Sequence, residues 1–283
     1  MTNALIAARD AFALAHPEQR AVFDGRDWGY RDIGSGPCLL LIPGTLGRGD
    51  IFWQQIEALA GRLRIVAVSY PDRGGIAEWA GDLFALLDRL GIDKASVLGS
   101  SLGGYLAQFM AGMVPGRVER LIAANTLHSV AGLTERLPYA LDLMAAPIAD
   151  LRAGFGNGLE AWRKAHPGQG DLVDLLLREA GGRILEGELR ARLNALKTAP
   201  DLPPVPLARD RIFTVEADDD PLIPPEMRVA VRERLKPGTA YRFLHGGHFP
   251  YVARPDHYTS MLEAIMDLEQ TGPDWGEGKE RSA

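Results

Sequence analysis

The sequence predicts an α/β fold: a mostly parallel central sheet flanked by helices, with a helical cap inserted between two strands. Three observations support this prediction. Short continuous apolar runs alternate with amphipathic helical stretches across residues 38–124, which is typical of parallel strands buried on both faces. The alternation stops near residue 127 and resumes near residue 211. The stretch between is helical in pattern and interrupted by Pro and Gly, which favours an insert within one α/β domain.

The composition is that of an ordinary globular protein. The 283 residues suit one large domain with an inserted subdomain, or two small domains. Apolar residues make up 46% of the chain and charged residues 24%, and the net charge of −6 disfavours nonspecific binding to nucleic acid. Because the sequence also has no dense Lys/Arg run, we expect no nucleic-acid partner.

The cysteine content and the N-terminal segment indicate the cellular compartment that we expect for this protein. The single cysteine, Cys38, excludes an intramolecular disulfide, and its place in an apolar run predicts a buried thiol. Arg9 and Asp10 interrupt the N-terminal segment early, so we expect no signal peptide. No segment has about 18 uninterrupted apolar residues, so no membrane span is predicted. The predicted location is the cytoplasm, while the oligomeric state stays open.

Each element of the predicted fold has a local signal. Residues Leu5–Ala15 have the apolar spacing of a short amphipathic helix, which Pro17 would end. Strands are predicted in the first half at Ala21–Gly25, Trp28–Asp32, Cys38–Ile42, Arg64–Ser69, Ala95–Gly99 and Val118–Ala124. Helices are predicted between them at Ile51–Leu63, Ile76–Leu90 and Leu102–Met113.

The second half contains the insert and the return to the sheet. The further predicted helices are Leu172–Glu179, Ile184–Lys197, Pro221–Leu235 and Asp256–Leu268, and the further strands are Arg211–Val215 and Ala240–Leu244. We therefore assign the core domain to residues 1–127 and 208–270, with an N-terminal helix within residues 1–20. The helical cap is assigned to residues 128–207 and a flexible polar tail to residues 271–283.

A serine lies at the junction between a predicted strand and a predicted helix. Ser101 is the central residue of Gly99-Ser100-Ser101-Leu102-Gly103, a G-x-S-x-G pattern in the context that gives it structural meaning. A sharp turn there exposes the hydroxyl, and the two glycines let strand and helix approach closely. Ser100 is the weaker candidate because the bulky Leu98 and Leu102 would flank it. We therefore predict that Ser101 is a nucleophile.

A serine hydroxyl needs a general base, and the chain has six histidines. His248 lies in a glycine-flanked loop just after the last predicted core strand, where ligands bind in open α/β sheets. His245 is closer to that strand and is predicted to be structural. The others lie before the core, in or beside the insert, or at the last helix: His16, His128, His166 and His257. We therefore predict that His248 is the base.

A carboxylate must orient the base, and an acidic run follows the strand before His248. The candidates are Glu216, Asp218, Asp219 and Asp220. Asp220 is preferred because it directly precedes the Pro-Leu-Ile-Pro turn that starts the next helix. Asp218 and then Asp219 remain alternatives, and the unused aspartates are expected to cap the helix or to face water.

Backbone N–H groups can stabilise an oxyanion beside the serine. Leu102, directly after the serine, is the first predicted donor. The second is expected in the loop Pro43–Gly47 after the first parallel strand, where Pro43 has no N–H to donate. Thr45 is the preferred second donor and Leu46 the alternative. One such donor contributes about 10²–10³ in rate.

Four segments together resemble the α/β-hydrolase superfamily. They are Ile42-Pro43-Gly44, the Gly99–Gly103 turn, Asp220–Pro224 and Gly247–Pro250, and the chain order Ser, Asp, His also matches. The resemblance covers about residues 21–268, apart from much of the insert. It implies a Ser101-His248-Asp220 triad without metal or organic cofactor, under a helical cap. Most members have His-Gly where this chain has Pro43-Gly44, which leaves the shape of the oxyanion loop open.

A closer resemblance is to maspardin and its bacterial relatives. It is based on Trp53–Ile56, Val68–Pro71, Ser101–Gln108 and Gly246–Tyr251. The first function it leaves open is a serine hydrolase that acts on a carboxylic ester or a related acyl substrate. The second is a noncatalytic interaction module, because maspardin is regarded mainly as a binding protein. C–C bond hydrolysis or lyase chemistry on the same triad is a third.

Aromatic side chains near these segments are candidates for an apolar acyl pocket. Trp53, Tyr105 and Phe249 are predicted to bind the substrate, although ordinary core packing would explain each of them equally well. The expected partner is a small-molecule acyl substrate, whose identity and chain length the sequence does not define.

Overall fold

The computed structural model describes residues 3–283; residues 1–2, which the predicted N-terminal segment includes, lie outside the described residues. Its helices are α1 Ala4–Ala15, α2 Trp53–Leu59, α3 Ile76–Arg89, α4 Leu102–Met113, α5 Ile148–Ala165, α6 Gly170–Arg178, α7 Glu186–Lys197, α8 Pro225–Leu235, α9 Pro250–Ala253 and α10 Pro255–Ile265. Its strands are β1 Gln19–Phe23, β2 Arg26–Gly34, β3 Cys38–Ile42, β4 Arg64–Ser69, β5 Ala95–Ser100, β6 Val118–Ala124, β7 Ile212–Ala217, β8 Thr239–Phe243 and β9 Glu280–Ser282. Within this part, no helix combines the length and the apolar character needed to cross a bilayer.

These strands form one sheet in the order β1-β2-β4-β3-β5-β6-β7-β8-β9. Strand β2 pairs antiparallel with β1 and with β4, and every other neighbouring pair is parallel. The mostly parallel sheet flanked by helices confirms the predicted fold class. Because the carboxyl ends of parallel strands meet at one edge, the loops after β3, β5, β6, β7 and β8 lie along the same side of the molecule.

Apolar side chains cover both faces of the sheet. Strand β3 is buried along its whole length, with Leu39 and Leu41 in the cluster on one face and Leu40 and Ile42 in the cluster on the other. This alternation follows from the two-residue period of a strand. Cys38 at the start of β3 is a buried free thiol, as predicted, and burial raises its pKa to about 12.

The chain between β6 and β7 is helical and contains α5, α6 and α7. Its apolar side chains do not form a core of their own: Leu151, Leu175 and Leu193 belong to the same buried cluster as Leu39 of the sheet. Helix α1, assigned to the core domain by sequence, packs against α6 of the cap. Cap and core therefore share one continuous apolar interior.

Three helices, α2, α7 and α8, begin later than the sequence predicts. Residues Gly49–Phe52 form a 3-10 turn before α2, and the residues from Asp220 to Pro224 form a loop before α8. In this loop the Asp220 side chain accepts from the N–H groups of Leu222 and Ile223, at 2.8 and 3.1 Å. These bonds stabilise a turn in place of the first helical turn.

The C-terminal tail differs from its prediction. Within residues 271–283, which are predicted to be flexible, Glu280–Ser282 forms β9 and pairs parallel with β8. Trp275 is 3% exposed and packs edge-on against the rings of Tyr241 and Phe243. The prediction of a flexible tail is therefore wrong, because the polar composition of the tail conceals one aromatic anchor and the pairing of its backbone with an open sheet edge.

Candidate active site

Ser101 lies in a sharp turn between β5 and α4, in a backbone conformation that few non-glycine residues adopt. Its φ is 55° and its ψ is −117°, a strained combination that persists where the surrounding structure enforces it and that clusters at functional sites. The Ser101 N–H donates to the carbonyl of Ala124 at 2.9 Å, and the Ser101 carbonyl accepts from Thr126 Oγ1 at 2.7 Å. Leu102, a predicted oxyanion donor, begins α4, so its N–H has no partner within the helix.

Gly99 and Gly103 make this turn sterically possible. A Cβ on Gly99 would lie 1.9 Å from the Gly103 carbonyl oxygen, and a Cβ on Gly103 would lie 2.2 Å from the Ile42 oxygen. Neither position can hold a side chain without moving backbone, which explains both glycines of the sequence pattern. Ser100, the weaker nucleophile candidate, is 1% exposed in β5, whereas Ser101 is half-buried.

The loop after β3 passes close to Ser101. A Cβ on Gly44 would lie 3.1 Å from the Ser101 Cβ and 3.8 Å from its Oγ. The Gly47 N–H donates to the Gly44 carbonyl at 3.2 Å, which makes Thr45 and Leu46 the central residues of a tight turn. The hydrogen bond that closes such a turn leaves the two central N–H groups free for other acceptors. Both candidates for the second oxyanion donor therefore lie in the loop beside Ser101.

His248 and Asp220 lie in the loops after β8 and β7 and form a hydrogen-bonded pair. His248 Nδ1 is 2.8 Å and 3.0 Å from the two Asp220 oxygens, and both side chains are buried. Because an ionised carboxylate only accepts hydrogen bonds, Nδ1 carries the proton and Nε2 is the basic nitrogen. The structure thus brings together the predicted base and its preferred acid, whereas His245 is exposed.

Several donors keep the Asp220 carboxylate ionised. Burial raises the pKa of Asp220, but the charge of His248 and hydrogen bonds from His248, from Asn125 and from the backbone outweigh burial, so the pKa lies below its usual range. The Asn125 Nδ2 donates to Asp220 Oδ2 at 2.9 Å. An ionised Asp220 can hold the imidazole in one orientation and stabilise its protonated form.

The alternative aspartates have other partners. Asp218 is half-buried and forms an ion pair with Arg242 through two hydrogen bonds of 2.6 Å. Asp219 accepts from the N–H groups of Gly246 and Gly247, at 3.0 and 2.8 Å. Asp219 therefore stabilises the backbone of the loop that carries the base, and the geometry favours Asp220 as the acid.

Asn125 is a site residue that sequence reasoning did not identify. It follows β6 with a φ of 44°, and its Nδ2 donates to Asp220 and, at 3.4 Å, to the Gly247 carbonyl. Both partners are acceptors, so this network determines the orientation of the amide. Asn is enriched at positive φ among non-glycine residues. One sequence signal could have identified it. Asn125 lies at the carboxyl end of β6, the strand next to the one that precedes Ser101.

The three aromatic residues predicted to bind substrate have different surroundings. Phe249 is half-buried, with its ring edge-on to the His248 ring at a centroid distance of 5.2 Å. Trp53 is 2% exposed within the core. Tyr105 is fully buried, and its hydroxyl donates to the Pro200 carbonyl at 2.7 Å. Core packing accounts for Trp53 and Tyr105, because each lies on the buried side of its helix, and only Phe249 of the three is seen beside the base.

The cap reaches the site through Trp162 of α5. A Cβ on Gly247 would lie 2.8 Å from Trp162 Cζ2, so the indole packs on the backbone just before His248. Trp162 also stacks on the His166 ring at 3.6 Å, and its Nε1 donates to Gln169 Oε1 at 2.7 Å. The cap therefore contacts the loop of the base directly.

Comparisons with known proteins agree with this architecture. Maspardin from Danio rerio is 24% identical over 252 residues, which cover 86% of this chain and 80% of maspardin. The magnesium-chelatase 30 kDa subunit from Rhodobacter capsulatus is 26% identical over 259 residues, which cover 83% of this chain and 89% of the subunit. The solved structure of a thermophilic esterase from Thermogutta terrifontis has a TM-score of 0.75 and 20% identity, and the match covers 88% of this chain and 98% of the esterase.

A match to a family model shows the family to which this chain belongs. The model described as the alpha/beta hydrolase family matches residues 39–259, from β3 to α10. This range includes the Ser101 turn, the loop after β3 and the Asp220–His248 pair. The match and the maspardin similarity confirm the resemblance that the sequence motifs indicate, and the likeness to the esterase shows the fold. This chain belongs to the alpha/beta hydrolase family.

Proposed function

We propose that this chain is a serine hydrolase that cleaves a carboxylic ester or a related acyl compound through an acyl-enzyme. The observation that carries the proposal is the buried Asp220–His248 pair on the same sheet edge as the strained Ser101 turn. These groups can activate a hydroxyl and hold a base in one orientation. Membership of a hydrolase family and the shared fold with an esterase support hydrolysis as the reaction class.

In the proposed reaction, Ser101 Oγ attacks the acyl carbonyl carbon while His248 Nε2 accepts the hydroxyl proton. Asp220 stabilises the imidazolium, and the N–H groups of Leu102 and Thr45 donate to the oxyanion. The intermediate collapses, and Nε2 returns the proton to the departing alcohol. Water then attacks the acyl-enzyme with His248 again as base, which releases the acid and restores Ser101.

Substitution of Ser101 tests the nucleophile. Ser101→Ala should lower turnover of a short-chain nitrophenyl ester by several orders of magnitude, up to about 10⁶-fold, because the attacking oxygen is lost. Ser100→Ala is the matched control, since the neighbouring hydroxyl is buried in β5. The control should keep turnover within about tenfold of wild type. Equal turnover of wild type and Ser101→Ala, with both folded by circular dichroism, would contradict the proposal.

The similarity to maspardin favours a second candidate, a noncatalytic interaction module on the same fold. A fluorophosphonate probe separates the two. Labelling of Ser101 that is lost in His248→Gln supports the hydrolase, because phosphonylation needs the activated hydroxyl. A wild-type protein that is neither labelled nor active on a broad ester panel supports the module.

A further inference from the structure

One face of cap helix α7 holds the loop that carries the candidate oxyanion donors. Arg192 Nη1 donates to the carbonyl oxygens of Thr45 and Gly47, each at 2.9 Å. Glu188, one turn earlier on the same helix, accepts from Arg48 Nη1 with both carboxylate oxygens at 2.9 Å. The loop is therefore bound to the cap at three positions close together in the chain.

The contact between Arg192 and the Thr45 carbonyl also affects the neighbouring backbone N–H group. The Thr45 carbonyl and the Leu46 N–H lie in one planar peptide group, so a hydrogen bond that orients the carbonyl also orients that N–H. The turn bond between Gly44 and Gly47 orients the preceding peptide group. The cap thus sets the direction of the Leu46 N–H, and by holding the Thr45 and Gly47 carbonyls it stabilises the turn that orients the Thr45 N–H.

Burial of the charged Arg192 side chain costs folding free energy that packing alone would not explain. Its guanidinium is fully buried 5.1 Å above the Tyr70 ring, and its Nη2 is 3.7 Å from the closest Glu188 oxygen. Among the described residues, its Nε and Nη2 have no hydrogen-bond partner. Burial lowers the pKa of Arg192 to about 10, so the side chain stays charged at neutral pH. Burying a charge with unpaired donors opposes folding, which favours a role beyond packing.

Arg190, on the same helix, provides the contrast. Its Nη1 and Nη2 donate to the carbonyls of Leu143 and Ala146, at 2.5 and 2.9 Å, and its Nε donates to Glu186 at 2.9 Å. All of these partners belong to the cap. Arg190 and Arg192 therefore bind pairs of backbone carbonyls in the same manner, but only Arg192 binds the loop beside Ser101.

We propose that Arg192 is a positioning residue that preorganises the oxyanion loop, so that the cap completes the site as well as covering it. This inference rests on the proposed hydrolase function. Donors that are already aimed at the developing charge stabilise the transition state without reorganisation. Loss of the Arg192 contacts should therefore lower kcat and leave substrate binding largely unchanged.

The test compares Arg192→Met with Arg190→Met. Methionine keeps the unbranched stem of arginine and a good helix propensity, but it has no charge and no N–H donors. In Arg192→Met, kcat for a nitrophenyl ester should fall about 10- to 100-fold with KM within about threefold, whereas Arg190→Met should keep kcat within about threefold. Arg192→Lys, which retains a cation able to reach one carbonyl, should show an intermediate kcat. If Arg192→Met does not fold, Arg192→Lys is compared with Arg190→Met instead.

Hydrogen–deuterium exchange provides a readout that does not depend on catalysis. Amides of residues 43–48 should exchange faster in Arg192→Met than in wild type and in Arg190→Met. Unchanged exchange in this loop, or equal kcat values for the two methionine variants, overturns the inference while the hydrolase proposal stands. If wild type has no esterase activity and no probe labelling, the proposed function fails, and the exchange comparison decides whether Arg192 holds the loop.

Discussion

The Asp220 carboxylate accepts several hydrogen bonds besides the one from His248. It accepts from the His248 ring, from the Asn125 amide and from the backbone N–H groups of Leu222 and Ile223. Burial raises the pKa of Asp220, yet these donors outweigh burial. In a buried network each hydrogen bond also restricts the others, so the Asp220 carboxylate would keep its place while, in the proposed mechanism, His248 exchanges protons. In the proposed mechanism the role of Asp220 is to orient and stabilise the imidazole.

Substitution of Asp220 by Asn tests this role. The Asn amide can donate where the carboxylate accepts, which would favour the wrong imidazole tautomer, so kcat should fall about 10⁴-fold with little change in KM. Steady-state ester kinetics on folded protein provide the measurement. Asp218→Asn is the control, because it removes only the ion pair with Arg242 at the surface and should leave kcat unchanged. A larger loss in Asp218→Asn would assign the acid to Asp218.

The local signals explain how much of the site could be predicted. Ser101 and its glycines lie in one short pattern, and Asp220 and His248 directly follow strands, so their neighbourhood follows from strand order. Their catalytic roles stay predictions. Asn125 carries no such pattern, because one Asn after a strand is ordinary. Arg192 was unpredictable for another reason: a charged residue in an amphipathic helix normally faces water, and its partners lie far away in the sequence.

At the scale of elements, strands buried on both faces were the easiest to predict. Strands β3 and β4 were predicted with the bounds that the structure has, because a short apolar run between turn residues has few alternative conformations. The start of α8 was predicted four residues too early because polar side chains bind the backbone there. Strand β9 was missed because its stability comes from pairing with β8, which local sequence does not encode.

Substitution of Trp275 tests whether the C-terminal segment is docked on the rest of the protein. Trp275 is 3% exposed, and its Nε1 donates to the His257 carbonyl at 3.0 Å. Trp275→Ala removes a large buried side chain and should lower the free energy of unfolding by about 3–5 kcal/mol. Urea unfolding followed by circular dichroism measures this change. The exposed Glu277→Ala is the control and should stay within about 0.5 kcal/mol of wild type. Equal stability of the two variants would show that the tail is not docked.

At the scale of the whole molecule, an ion network links four separate parts of the chain: α1, β2, the segment after β3 and the cap. Asp50, after β3, accepts from Arg31 of β2 at 3.1 Å and from Arg183 of the cap at 2.5 Å. Glu179 of the cap binds both Arg183 and Arg9 of α1. Apolar contacts are non-directional, whereas these ion pairs form only when their charged groups meet. We therefore expect the network to contribute to the specificity of the packing between cap and core more than to net stability.

The Asp50 charge makes this network sensitive to pH. Burial raises the pKa of Asp50, but its bonds and charge interactions with Arg183, and then the charge of Arg31, outweigh burial, so the folded pKa lies below the usual value. A depressed pKa stabilises the folded state above the unfolded value of about 3.9, and this contribution is lost as the pH falls through the folded value. Asp50→Asn should therefore lower the free energy of unfolding by about 3–5 kcal/mol near pH 7, since it leaves buried arginines unpaired.

The difference between wild type and Asp50→Asn should narrow as the pH falls below about 4, because the wild-type carboxyl then also loses its charge. Urea unfolding of both proteins across this range provides the measurement. Asp72→Asn is the control: Asp72 pairs with its neighbour Arg73 at the exposed surface, so its loss should matter little at any pH. A stability difference that stays constant with pH would mean that the shape of the Asp50 side chain, and not its charge, holds the cap to the core.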